Sequence, residues 1–143
     1  MSPDKPTRTV LLIDDEAGAR KLVKLLLERE GFRALTAANG AEGLILAKVE
    51  RPDVILLDII MPKMGGYEVL RHLNADPDTH DIPVVMLTAK GTEHDIATSF
   101  RLGGVFHVEK PYETKDLLQK IQVALALSAQ ERPPPAEGSE RGI

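Results

Sequence analysis

The sequence predicts an α/β fold in which five parallel strands are covered on both faces by five helices. Three observations point to it. Short apolar runs alternate with longer amphipathic ones along most of the chain. The runs at 10–13 and 54–57 are continuous in apolar character, as strands buried on both faces should be. At 143 residues, 43% hydrophobic and 28% charged, the chain suits one domain burying roughly two-thirds of its unfolded surface.

Each element has its own signal. Residues 10–13 form the first strand. Residues 17–30 read as a helix with Leu22, Leu25 and Leu26 on one side, and Gly31 stops it. Residues 32–37 are the second strand. Asn39 suits the cap of a helix to about Val49, closed by Arg51-Pro52. Residues 53–57 are the third strand and 66–74 a short helix. The fourth strand spans 82–87, with Pro83 tolerable near its start. Residues 92–102 follow as the fourth helix, with Ile96, Ala97 and Phe100 at helical spacing. Gly103-Gly104 breaks it before a short fifth strand at 105–108. The last helix, 113–129, carries a stripe of Leu117, Leu118, Ile121, Ala124 and Leu125. Such alternation implies right-handed crossovers and hence a parallel sheet. Residues 1–8 are expected to be a flexible N-terminus and 9–129 the domain. Residues 130–143 form a Pro-rich tail with too little apolar surface to offset the entropy of ordering.

Composition removes several functions. Without Cys there is no disulfide scaffold, thiolate metal site or Cys nucleophile. A net charge of −4 is the wrong sign for a general nucleic-acid coat. Aromatics at 3%, with no Trp, leave no base-stacking surface. No apolar run approaches the roughly 20 residues that cross a bilayer, and the polar N-terminus lacks a signal core. The expected location is cytoplasmic.

In open parallel sheets ligands collect at the carboxyl ends of the strands. There the first strand ends in Asp14-Asp15-Glu16, the third in Asp58 and the fourth in Thr88, while the fifth reaches Lys110. Clustered carboxylates repel, and a hard divalent cation with oxygen ligands, such as Mg²⁺ (or Mn²⁺), relieves that. Asp58 is then a carboxylate nucleophile for phosphoryl transfer. Lys110, Thr88 and the cation would share the charge of the phosphoryl oxygens. Blander roles are open residue by residue: helix caps for Asp14 and Asp15, a turn for Thr88, a solvated surface position for Lys110.

The segments Ile13-Asp14-Asp15-Glu16, 57–66 (Leu-Asp-Ile-Ile-Met-Pro-Lys-Met-Gly-Gly), Leu87-Thr88-Ala89 and Lys110-Pro111-Tyr112 together resemble the receiver domain of two-component response regulators, of the single-domain, chemotaxis-regulator-like type. The likeness covers about residues 9–127. It implies a flavodoxin-like doubly wound sheet in the order 2-1-3-4-5. It also implies Asp58 as phosphoacceptor, Asp15 as a direct and Asp14 as a water-mediated Mg²⁺ ligand, and the Ile60 backbone carbonyl as a further ligand. Thr88 and Lys110 would bind the phosphoryl group, and Lys110–Pro111 is often cis in the family. His107 falls at the switch position, usually Tyr or Phe, and would follow Thr88 inward. The surface of the fourth predicted helix, fifth strand and last helix would then change. The implied partners are a histidine kinase or histidine phosphotransfer protein and a downstream protein, with no direct nucleic acid, no membrane insertion and a homodimer as one option. The chain departs from the family at Gly65, where Asp or Asn is usual, and at Ile60 and Lys90, positions that tune phosphoryl lifetime.

The resemblance implies a switch that phosphorylates and dephosphorylates itself rather than a turnover enzyme. The alternative is the N-terminal receiver of a longer regulator whose output domain is missing. A haloacid-dehalogenase-like phosphatase would need Asp where Ile60 stands. A flavin or nucleotide binder would need a glycine-rich loop where Asp14-Asp15-Glu16 stands. A degenerate receiver would signal by binding alone.

Overall fold

In the computed structural model, residues 7–89 and 106–131 are described. The predicted helix at 92–102, the Gly103-Gly104 break and Lys90 lie outside them. The order is β1 (Thr9–Ile13), α1 (Ala17–Arg29), β2 (Arg33–Ala37), α2 (Gly40–Glu50), β3 (Val54–Asp58), α3 (Gly66–Ala75), β4 (Val84–Ala89), β5 (Phe106–Lys110) and α4 (Thr114–Glu131). All five strands are parallel, in the order β2-β1-β3-β4-β5. Both expectations, strand order and parallel sheet, hold.

The continuous apolar strands feed two cores by simple alternation. Val10 and Leu12, Val54 and Leu56, and Val85 and Leu87 pack with Val23 and Leu27 of α1 and Leu117, Ile121 and Ala124 of α4. Leu11 and Ile13, Ile55 and Leu57, and Val84 and Met86 pack on the other face with Ala47 of α2 and Val69, Leu70 and Leu73 of α3. A period of two thus divides one apolar run between two helical layers.

Local signals explain most boundaries. Asn39 Oδ1 accepts from Glu42 N at 2.9 Å and caps α2, and Glu42 Oε1 reaches back to accept from Ala38 N, one residue before the cap, at 2.8 Å. Gly31 after α1 has φ +91°, open to glycine at little cost. Arg51 closes α2 in the left-handed region at φ 46°, just before Pro52.

Several expectations need correction. The stripe of α1 is not Leu22, Leu25 and Leu26: Val23 and Leu27 face the core, Leu26 packs against its edge, and Leu22 and Leu25 are 69% and 55% exposed. β2 starts at Arg33, not Phe32. β4 starts at Val84, because Pro83 has no N–H for the ladder; its carbonyl accepts from Ile55 N at 3.0 Å. β4 runs on to Ala89, paired with Lys110, so Thr88 lies within the strand rather than beyond it. α4 continues to Glu131, so Gln130 and Glu131 belong to the helix.

Candidate functional site

The alternation that builds the first core also aims the site. Continued one step past Val10 and Leu12 it gives Asp14; past Val54 and Leu56 it gives Asp58; past Val108 it gives Lys110. These three carbon skeletons therefore emerge on one face at the carboxyl edge of β1, β3 and β5. Lys110 Nζ lies 3.3 Å from Asp14 Oδ2 and 3.3 Å from Asp58 Oδ2. Asp14 is fully buried and Asp58 nearly so, while Asp15 is exposed.

Backbone geometry holds the two buried carboxylates. Asp14 Oδ1 accepts from Glu16 N at 3.0 Å, and Asp58 Oδ1 accepts from Ile60 N at 3.2 Å. The N-cap of α1 is Glu16, whose side chain makes no capping hydrogen bond. Capping by Asp14 or Asp15 is thus not what these residues do. At the other end of the loop after β3, Gly66 N donates to Ile59 O at 2.8 Å. A Cβ on Gly66 would stand 2.5 Å from Asp58 O and 2.6 Å from Ile59 Cα, so only glycine lets α3 start this close to the acceptor strand. The Lys110–Pro111 bond is cis.

Burial dominates the electrostatics of Asp58. Its pKa is pushed up to about 6: desolvation and, less strongly, Asp14 raise it, while Lys110 and the Ile60 N–H pull it down. For Lys110, burial opposes the charge, but the Asp58 and Asp14 carboxylates outweigh it and raise the pKa. The lysine is therefore a fixed cation between two carboxylates.

Carboxylate oxygens of Asp14, Asp15 and Asp58 all lie within 4.8 Å of one another. An all-oxygen donor set at this spacing fits a hard divalent cation such as Mg²⁺. Thr88 is buried on β4, one residue past Leu87, the register partner of Asp58. It shares the alternation of Val84 and Met86, opposite to that of Leu87. Ile60 presents a 65%-exposed side chain at the rim of the site.

A family model described as the response regulator receiver domain matches residues 10–122. The chain belongs to this family. Relatives include a probable transcriptional regulator ycf27 of Guillardia theta, 41% identical over 116 residues, which are 81% of this chain and 44% of that protein. Protein PilH of Pseudomonas aeruginosa is 37% identical over 117 residues, 82% of this chain and 97% of its own length. This receiver domain thus spans less than half of the first relative and nearly all of the second. Among solved structures, chemotaxis protein CheY4 of Vibrio cholerae superposes with a TM-score of 0.80 at 30% identity, over 84% of this chain and all of that one. A CheY-like receiver domain protein of Methanospirillum hungatei gives 0.82 at 28% identity, over 89% and 100%. The receiver fold expected from the sequence is confirmed by these likenesses. No helix among the described residues is long and apolar enough to cross a membrane.

In this receiver, His107 is half-buried on β5, paired in register with Met86, and burial lowers its pKa. The ring is therefore neutral at neutral pH, as an aromatic substitute would be.

Two residues at the site escape sequence reasoning. Arg20 donates through Nη1 to the Asp14 backbone carbonyl at 2.7 Å. Its signal was a cation near the start of a helix, where the dipole disfavours one. Tyr112, half-buried, has its phenol pKa raised by burial first; Lys110 lowers it, and Asp14, Asp58 and Glu16 raise it. Tyr112 closes the Lys110-Pro111-Tyr112 segment, but its electrostatic coupling to the acidic residues emerges only once the sheet brings β1, β3 and β5 to one edge.

Proposed function

We propose that this receiver domain is a phosphoacceptor switch in which Asp58 takes a phosphoryl group from a histidine kinase or histidine phosphotransfer protein. The observation that carries the reading is the buried Asp58 carboxylate, grouped with Asp14 and Asp15 and 3.3 Å from Lys110. In the transfer, an Asp58 oxygen forms a bond to phosphorus as the phosphorus–nitrogen bond of the donor breaks. The electron pair of that bond leaves with the imidazole.

Asp14, Asp15, Asp58 and the Ile60 backbone carbonyl would hold Mg²⁺ (or Mn²⁺), which when bound supplies positive charge to the phosphoryl oxygens and relieves carboxylate repulsion. Lys110, already held as a cation by Asp14 and Asp58, would turn to a second phosphoryl oxygen. The Thr88 hydroxyl would bind a third. Its rotation inward, with His107 following, would shift the population of the surface made by β5, α4 and residues 92–102 toward a partner-binding state. On this reading the domain works in the cytoplasm as a signalling switch that loses its own phosphoryl group to water, not as a turnover enzyme. Its output passes through a protein partner, with no direct nucleic-acid contact and homodimerisation as one form of that output.

A second reading is favoured by one observation, that the chain matches 44% of the length of the Guillardia theta regulator. In that reading the domain is the N-terminal receiver of a longer regulator and controls an attached output domain.

The test is intact-protein mass after incubation with acetyl phosphate, with and without Mg²⁺, for the parent and Asp58→Asn. The expected result is one Mg²⁺-dependent phosphoryl adduct, absent from Asp58→Asn. An adduct that survives in Asp58→Asn refutes the assignment. No adduct under any condition makes the domain a receiver that signals by binding alone.

A further inference from the structure

Asp14 is anchored at nearly every polar atom. Its N–H donates to Ala37 O at 3.1 Å, its Oδ1 accepts from Glu16 N at 3.0 Å, and its Oδ2 stands 3.3 Å from Lys110 Nζ. Its backbone carbonyl lies beyond the last ladder pairs of β1, Ile13 with Ala37 and Ile13 with Leu57. Arg20 supplies what the sheet does not, an Nη1 donor at 2.7 Å.

The placement of Arg20 is unfavourable for α1 itself. It is the fourth residue of the helix, close to the N-terminal end, where the dipole opposes positive charge. The same helix has no side-chain cap and no acidic residue in its first turn. Here a cation sits where a helix gains least from it, and its guanidinium closes on a backbone oxygen six residues back.

We propose that Arg20 is a positioning residue for the divalent cation: by fixing the Asp14 carbonyl it fixes the Asp14–Asp15 peptide and thereby the exposed Asp15 carboxylate. The proposal rests on the reading of Asp14, Asp15 and Asp58 as the cation site. The peptide group is planar, so holding its oxygen sets the direction in which the chain leaves for the Asp15 Cα. Burial holds Asp14 and Asp58 in place, but Asp15 is exposed and takes its orientation from the turn. Hydrogen-bonding partners one layer behind a metal's ligands commonly govern affinity in this way.

Charge and positioning predict opposite signs. If Arg20 acted only through its charge, removing it would strengthen binding of another cation nearby. If it positions the turn, removing it weakens binding.

The test is calorimetric titration of the full chain with Mg²⁺ alone at fixed ionic strength. The parent is compared with Arg20→Met, Arg20→Lys and Asp15→Asn, each also melted in EDTA. The expected result is about tenfold weaker Mg²⁺ binding in Arg20→Met, with part of the loss recovered in Arg20→Lys. The EDTA melts of the two Arg20 variants should agree within about 3 °C. Equal or tighter Mg²⁺ binding in Arg20→Met overturns the proposal, and weaker binding in Asp15→Asn would then show that the cation site itself stands. Binding lost equally in Arg20→Met and Arg20→Lys, with both melts lowered, assigns Arg20 to the fold and also overturns it. A parent chain that binds no Mg²⁺ overturns both the proposal and the reading beneath it.

Discussion

Lys110 Nζ stands 3.3 Å from Asp58 Oδ2, reaching across β4, which separates their two strands in the sheet. The same nitrogen is 3.3 Å from Asp14 Oδ2, so one ammonium compensates two buried carboxylates. Lys110→Met leaves that pair without a counter-ion. The metal-free chain should lose about 1–2 kcal/mol, less than a fully buried pair would because Lys110 is partly exposed. A cation bound by the same carboxylates should restore most of the loss. Thermal melts in EDTA and in excess Mg²⁺ check this; an equal deficit in both media would show that Lys110 contributes packing rather than charge.

The titrations of Asp58 and His107 should oppose each other in the metal-free protein. Asp58 is raised by burial from 3.8 to about 6, so the folded state holds its proton more tightly than the unfolded one. Its contribution to stability is complete below 3.8 and is lost as pH rises through about 6. His107 is lowered by burial from 6.5, so its contribution is present above 6.5 and is lost as pH falls through its folded value. In EDTA, Asp58→Asn should therefore be more stable than the parent at about pH 8, and His107→Phe should lose less stability than the parent on acidification. Protons also compete for the acceptor carboxylate, so Mg²⁺ affinity should fall steeply below about pH 6. Melting curves and Mg²⁺ titrations across this range test all three signs, and a flat Mg²⁺ profile would remove Asp58 from the cation site.

The sheet was legible because its signal is redundant. Strands such as Val10 to Ile13 are apolar at every position, and that property needs no knowledge of which helix covers which face. The acidic residues were legible because strand ends in a parallel sheet share one edge. Helix orientation was harder. In α1, Leu22, Val23, Leu25, Leu26 and Leu27 offer several overlapping stripes, and only docking against β1 and β2 selects Val23 and Leu27. Arg20 was only half legible: a cation near the start of a helix is visible in the sequence, but its partner is a backbone carbonyl, which every residue has.

That choice of stripe gives a direct comparison. Leu27 is fully buried in the first core, whereas Leu22 is 69% exposed. Leu27→Ala should cost about 2–5 kcal/mol through lost burial and the cavity left behind. Leu22→Ala should stay within about 0.5 kcal/mol, as surface changes do. Urea unfolding of the two variants decides it, and a comparable loss in Leu22→Ala would mean that this side chain is covered in solution.

The adjacent glycines Gly65 and Gly66 should respond in opposite directions. Gly65 is the N-cap of α3 at φ −74° and ψ 168°, a conformation any residue adopts, and a Cβ there would meet only Ile59 O at 3.6 Å. Its helix start has no side-chain cap. Gly65→Asp would supply an acceptor for the first free N–H groups of α3 and restrict the unfolded chain, for a gain of about 0.5–1 kcal/mol. Gly66→Ala would force a Cβ against Asp58 O at 2.5 Å and Ile59 Cα at 2.6 Å, both backbone atoms that no rotamer change can move aside. The expected loss is about 1–3 kcal/mol, together with displacement of the turn that points the Ile60 N–H at Asp58. Stability and Mg²⁺ affinity should therefore fall together in Gly66→Ala, while Gly65→Asp gains stability and keeps its Mg²⁺ affinity. Denaturant melts with parallel Mg²⁺ titrations separate the two, and a Gly66→Ala variant as stable as the parent would show that α3 can slide away from the acceptor strand.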